Sequence, residues 1–171
     1  GKALPNLGRG DRAKRLLPFV GSGVSLSVQC GLFPTWKQLL ERLADRLETE
    51  AKPKQAQLVR LHCELDELYE AAQRAAKELG KSLYHEAMRE LFSISRPDGA
   101  GLNLSLPAAL WALGPPLVVT TNFDSVLAWA QPKVRPILNS QSAELTDLLT
   151  KPSAAAPWVW HLHGHIDHAD T

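Results

Sequence analysis

Three short stretches of this chain hold residue types that do chemistry when they meet. They are Gly21-Ser22-Gly23-Val24-Ser25, Thr120-Thr121-Asn122-Phe123-Asp124 and His161-Leu162-His163-Gly164-His165-Ile166-Asp167. Glycines after a strand let backbone N–H groups approach a pyrophosphate closely, because no Cβ stands in the way. Asn122 both donates and accepts, so it can hold a ribose hydroxyl or an attacking water. Asp124 can read a carboxamide edge or stabilise developing positive charge. A plainer use of Asn122 and Asp124 is to cap the next helix. His163, beside Gly164, suits a neutral imidazole acting as general base at a strand end. Together the three stretches have the makings of a nucleotide-cleaving pocket; each alone is commonplace.

Two rival chemistries can be weighed on the same residues. A dinucleotide fingerprint for hydride transfer would use Gly21 and Gly23, but Leu26 stands where its third glycine belongs. The acidic ribose ligand expected about 20 residues on is not convincing either, since Glu41 falls inside a predicted helix. A dehydrogenase is therefore disfavoured. Alternate residues of a strand share a face, so His161, His163 and His165 could converge on a metal. Gly164 should break the strand after His163 and disperse them, and no carboxylate cluster clearly completes such a site. No metal is expected, and one catalytic His163 needs fewer coincidences.

These residues must be positioned by alternating strands and helices. Leu16–Val20 reads as a short buried strand ending in the glycine turn. Thr35 and Gln38 form a capping-box pattern, after which Trp36, Leu39, Leu40, Leu43 and Leu47 share one helical face. Beyond Pro53, Leu58, Leu61, Leu65, Leu68 and Ala72 repeat at three- and four-residue steps, predicting an inward stripe. Gly80 should cap that helix, and Ser82 should start another with Leu83, Ala87, Met88 and Leu91 facing inward. A short helix is expected near 107–113. Leu117–Thr121 is the best strand, β-branched and apolar enough to be central and buried on both faces. Asp124 or Ser125 should cap a short helix through Trp129. A weaker strand spans 134–138, a helix 141–149, a linker-like stretch 153–157 and a final strand 158–162. The alternation predicts an α/β, Rossmann-like parallel sheet flanked by helices, with a helical insert at about 51–95. The whole reads as a single domain over 1–171, with a flexible lead-in at 1–15 and a truncated C-terminus.

Composition narrows the class. The chain has 171 residues, 44% hydrophobic and 22% charged, with a formal net charge of +1. That balance gives no support for a nucleic-acid or membrane partner. No apolar run approaches the roughly 20 residues of a spanning helix, and no signal peptide is evident. Cys30 and Cys63 are the only cysteines, too few for a four-cysteine zinc ribbon, and both read as buried small residues in a cytoplasmic protein.

With the motifs assembled, the chain resembles the Sir2 superfamily, specifically the bacterial Sir2-like domains attached to anti-phage defence proteins. The resemblance rests on Gly21-Ser22-Gly23-Val24-Ser25, Gly31-Leu32-Phe33-Pro34-Thr35-Trp36, Thr120-Thr121-Asn122-Phe123-Asp124 and Leu162-His163-Gly164, in that order along the chain. It implies that Asn122 and His163 are catalytic. It implies phosphate and ribose contacts at Gly21, Gly23 and Ser25, and a nicotinamide-side role for Asp124. Ser22, Pro34, Trp36 and Thr121 fall in the same motifs and join the implied cofactor-binding set. The implied cofactor, consumed as substrate, is NAD. Without a four-cysteine zinc module, the resemblance favours NAD hydrolysis to ADP-ribose and nicotinamide, in a bacterial cytoplasmic effector that depletes NAD. The alternatives are an NAD-dependent protein-lysine deacylase, or a catalytically incomplete NAD-binding or assembly module. A regulatory or sensor partner and a homo-oligomeric parent protein are also implied.

Overall fold

The structure, a computed structural model, describes residues 16–97, 101–150 and 156–166. The expected lead-in at 1–15 and residues 153–155 of the linker-like stretch lie outside them. The chain divides into two compact units, one of residues through Cys30 together with those from Ile94 onward, the other Gly31–Ser93.

The first unit is an α/β layer. Its strands are β1 (Phe19–Val20), β2 (Leu117–Thr120), β3 (Arg135–Leu138) and β4 (Trp158–His161). They form one sheet in the order β1-β2-β4-β3, with every pairing parallel. β2 lies inside the sheet with all its residues buried, as its β-branched run requires. β1 is shorter than the expected 16–20. Leu17 and Phe19 are exposed, and Pro18 has no N–H, although its carbonyl accepts from the Val119 N–H at 2.9 Å. Leu117, Val119, Ile137 and Leu148 form a core cluster, with Leu145, Trp158, Trp160 and Leu162 packed around it. Burying each such aliphatic side chain contributes about 1.5–3 kcal/mol.

Helices α1 (Ser22–Leu26), α5 (Ser105–Ala112), α6 (Val126–Ala130) and α7 (Ser142–Thr150) fill the connections of this unit. The Trp111 indole N–H donates to the Leu127 carbonyl at 3.0 Å and ties α5 to α6. The glycine turn is more ordered than a loop. Gly21 stays extended (φ −126°, ψ −163°), and the chain enters α1 directly after it.

In the second unit α2 (Trp36–Thr49), α3 (Pro53–Glu64) and α4 (Leu68–Phe92) pack on one another. The capping box forms: the Thr35 N–H donates to Gln38 Oε1 at 2.8 Å, and the Gln38 N–H donates to Thr35 Oγ1 at 3.3 Å. Leu39, Leu40, Leu43 and Leu47 are buried as predicted, but Trp36, at the first helical position, is exposed. Gly80 breaks α4 where the sequence places the end of a helix, with φ +73° and ψ 167°, a positive-φ conformation that glycine adopts because it has no Cβ. Beyond it Ala87 and Met88 are buried, with Leu83 and Leu91 half-buried. Because α2 packs with the later helices, the helical unit begins at Gly31 rather than near 51.

The leucine stripe departs most from expectation. On α3 the buried residues are Ala56, Val59 and Cys63, while Leu58, Leu61 and the C-cap residue Leu65 are exposed. α3 carries two periodic faces, and the one made of smaller side chains lets neighbouring helices approach. The same preference runs through α4, where Ala71, Ala75 and Leu79 are buried and Leu68 and Ala72 only half-buried. Cys63 is buried, and burial pushes its thiol pKa up; Cys30, expected inside, is exposed.

Candidate active site

The three chemical stretches follow the carboxyl ends of three adjacent strands. In the register Val20 lies beside Thr120, and Thr120 beside His161. The chain leaves β1 at Gly21, β2 at Thr121 and β4 at Leu162, all at one level of the sheet. That end of a parallel sheet is the usual ligand position in open α/β folds.

The side chains there are linked. Asn122 Nδ2 donates to the Gly21 carbonyl at 3.0 Å and to Ser25 Oγ at 2.8 Å. Ser25 Oγ donates in turn to Asp124 Oδ2 at 2.7 Å, and Asp124 Oδ1 accepts from the Val126 N–H at 3.0 Å. From one residue before the N-cap Ser125, Asp124 therefore takes up the first N–H of α6, close to the plainer of its two readings, and also anchors Ser25. Its carboxyl is buried, and that desolvation raises its pKa above the ordinary carboxylate value, partly offset by the Ser25 and Val126 hydrogen bonds. α1 turns Ser25 inward, where it meets Asn122 and Asp124.

The chain of bonds fixes which way the Asn122 amide points. Both hydrogens of its NH₂ face protein acceptors, and Oδ1 makes no hydrogen bond among the described residues. The group is oriented as an acceptor for a hydroxyl or a water. Thr121 lies next to Gly21: a Cβ built on Gly21 would stand 3.6 Å from Thr121 Oγ1. Ser22 and Gly23 are exposed on α1, and a Cβ on Gly23 would meet nothing within 4 Å. Pro34, half-buried, and Trp36, exposed, belong to the helical unit.

The histidines divide sharply. His163 is exposed, its ring stacked on Phe123 at 6.4 Å between centroids. Gly164 follows with φ +95°, so the strand does end there. His161 and His165, set aside in the sequence reading, are buried and built into the turn after β2. His161 Nδ1 lies 2.8 Å from the Asn122 carbonyl, which can only accept, so Nδ1 carries the proton. His165 Nε2 lies 3.1 Å from Ser125 Oγ, and the two rings meet edge to face at 4.5 Å. The Ile166 N–H donates to the Phe123 carbonyl at 3.0 Å and closes the same turn. The alternation of histidines was the signal for this placement, since period two puts His161 in the ladder beside Thr120. Among the described residues no group of three or more His, Cys, Asp or Glu is placed to hold a metal ion.

Residues 116–171 match the family model of the SIR2-like domain, a span that takes in the second and third chemical stretches. No curated protein and no solved structure matches the chain.

Proposed function

We propose, from the match of residues 116–171 to the SIR2-like domain, that the chain is an NAD glycohydrolase that splits NAD into ADP-ribose and nicotinamide. The observation that carries the reading is the Asn122 amide, locked by Gly21 and Ser25 with its acceptor oxygen left over. That oxygen takes a hydrogen bond from the attacking water or from the ribose. The water oxygen bonds to C1′ of the nicotinamide ribose as the C1′–N bond breaks, its electron pair passing to the pyridine nitrogen. The proton of the water goes to His163 and from there to solvent. Positive charge grows on the ribose in the transition state, as in glycoside cleavage, and fixed dipoles at the strand ends stabilise it. Gly21, Ser22, Gly23 and Thr121 border the phosphates and ribose, and Asp124 lies toward the nicotinamide.

The biological setting follows the same resemblance: a bacterial cytoplasmic effector that depletes NAD in anti-phage defence, released by a sensor or regulatory partner. No helix of the described residues is long and apolar enough to cross a membrane. The test is nicotinamide release from NAD by the purified protein and by Asn122→Ala and His163→Ala. Each variant is expected to lose about 10²–10⁴-fold in rate. Wild-type turnover in both would end the reading. A second reading, NAD binding without turnover, is favoured by one observation: among the described residues, His163 is exposed and held only by ring stacking. Saturable NAD binding with no nicotinamide released, in wild type as in the variants, would select it.

A further inference from the structure

The leucines of α3 that turn outward form a surface with a direction and a charge pattern. At about 100° per residue, Leu58, Leu61 and Leu65 fall within a sector of roughly 60°, opposite the buried Ala56, Val59 and Cys63. They are 36%, 47% and 60% exposed. Three leucines aligned on the solvent side of one helix are not scattered surface residues. Lys54 lies in the same sector one turn before Leu58, and Glu64 borders its far end.

The neighbouring charges show what is left over. Arg60 is committed to Glu41, Asp45 and Glu48, and His62 to Glu67. Lys52 donates to the Glu78 carbonyl, and Lys37 pairs with Asp66. Lys54 and Glu64 have no ion-pair partner among the described residues. The helix thus presents an apolar strip with an unused cation at its start and an unused anion at its end. A strip of that pattern is complementary to itself when turned end for end.

We propose that α3 is the contact helix of a two-fold dimer, packed antiparallel against α3 of a second copy of this chain. With the axis between Leu58 and Leu61, Leu58 of each copy meets Leu61 of the other. Lys54 then lies over the far Leu65 and reaches the far Glu64, about 15 Å along the helix from its own Glu64. The symmetry makes both ion pairs at once, and the antiparallel arrangement also opposes the two helix dipoles. The buried face and the outward face of α3 would then each have a partner.

Sedimentation equilibrium of the full chain from low to high micromolar concentration tests this. A reversible monomer–dimer equilibrium is expected. Leu61→Glu and, separately, Leu58→Gln should each weaken it at least tenfold, with helical circular dichroism and the melting temperature of the dilute monomer retained because both positions are on the outside. Lys54→Glu alone and Glu64→Lys alone should each weaken dimerisation, and the double variant should restore it. A wild-type chain that stays monomeric throughout overturns the proposal, and so does a dimer indifferent to Leu61→Glu. Loss in both charge variants without recovery in the double variant rejects the antiparallel register.

Discussion

The two units use polar groups in opposite ways. In the helical unit the charges lie at the surface: Arg60 spans three carboxylates of α2, and Arg46 faces Glu50, Glu86 and Glu90. In the sheet unit Asp124, His161 and His165 are 4%, 3% and 6% exposed; Asp124 holds Ser25 of α1, and the two histidines hold Asn122 and Ser125 in the turn after β2. Exposed pairs are each worth about 0–1 kcal/mol, because water and salt compete for both partners. A buried polar group that loses its partner costs about 1–3 kcal/mol, since water cannot replace it. The first arrangement holds helices together with many weak contacts, whereas the second orients one amide with a few strong ones.

His161 should break the comparison most visibly. His161→Leu leaves the Asn122 carbonyl without its donor and is expected to destabilise the protein by about 1–3 kcal/mol in denaturant unfolding, while slowing nicotinamide release. His161→Asn keeps a donor at the place of Nδ1 and should recover most of both. His161→Gln puts its donor where Nε2 was and should not. Equal losses for the Asn and Gln variants would mean that ring volume matters and the hydrogen bond does not.

Asp124 sharpens the contrast through pH. Because burial raises its folded pKa, the unfolded chain gives up this proton first as pH rises. Its contribution therefore makes stability fall with rising pH, from the ordinary carboxylate range up to the folded value, and level off above it. Asp124→Asn should flatten that part of the melting temperature–pH curve. It should also slow nicotinamide release, because an amide has one acceptor oxygen and cannot take both the Ser25 and the Val126 hydrogen bonds. A curve unchanged by the substitution would remove Asp124 as the cause.

The smallest effect belongs to the surface. The Arg60 side chain is 29% exposed, and its three acidic neighbours hold its pKa above the usual arginine value. Arg60→Ala should nonetheless change stability by under about 1 kcal/mol, and by less still in high salt. A larger, salt-independent loss would show that the network in the helical unit is built like the one in the sheet unit.

Much of this was legible in the sequence, and the failures have physical reasons. Leu117–Thr120 declared a central strand because a β-branched run between turn residues has few other uses. Thr35 and Gln38 declared a helix start because a capping box needs only local geometry. α3 failed because periodicity tells that a helix has faces, not which face is covered; Ala56, Val59 and Cys63 are as periodic as the leucines. At the site, the types and order of Gly21, Asn122, Asp124 and His163 could be read directly. The bond from Asn122 to Ser25 could not, since it spans 97 residues and depends on α1 forming where a turn was expected. The work of His161 was hidden for a related reason: its partner is a backbone carbonyl, which leaves no trace in residue type.

Pro136 has a consequence for how this sheet meets other chains. The Arg135 N–H donates to Pro157 beside β4, so the nitrogen of the next residue faces away from β4, the side of β3 with no strand neighbour among the described residues, and the ring has removed its hydrogen. Inside the protein that absence takes nothing from the ladder. Toward a newly made or misfolded copy it leaves one rung missing from the template, so a foreign strand cannot zip along β3 without a gap. The ring that costs the ladder nothing thus takes away a donor that a foreign strand would need.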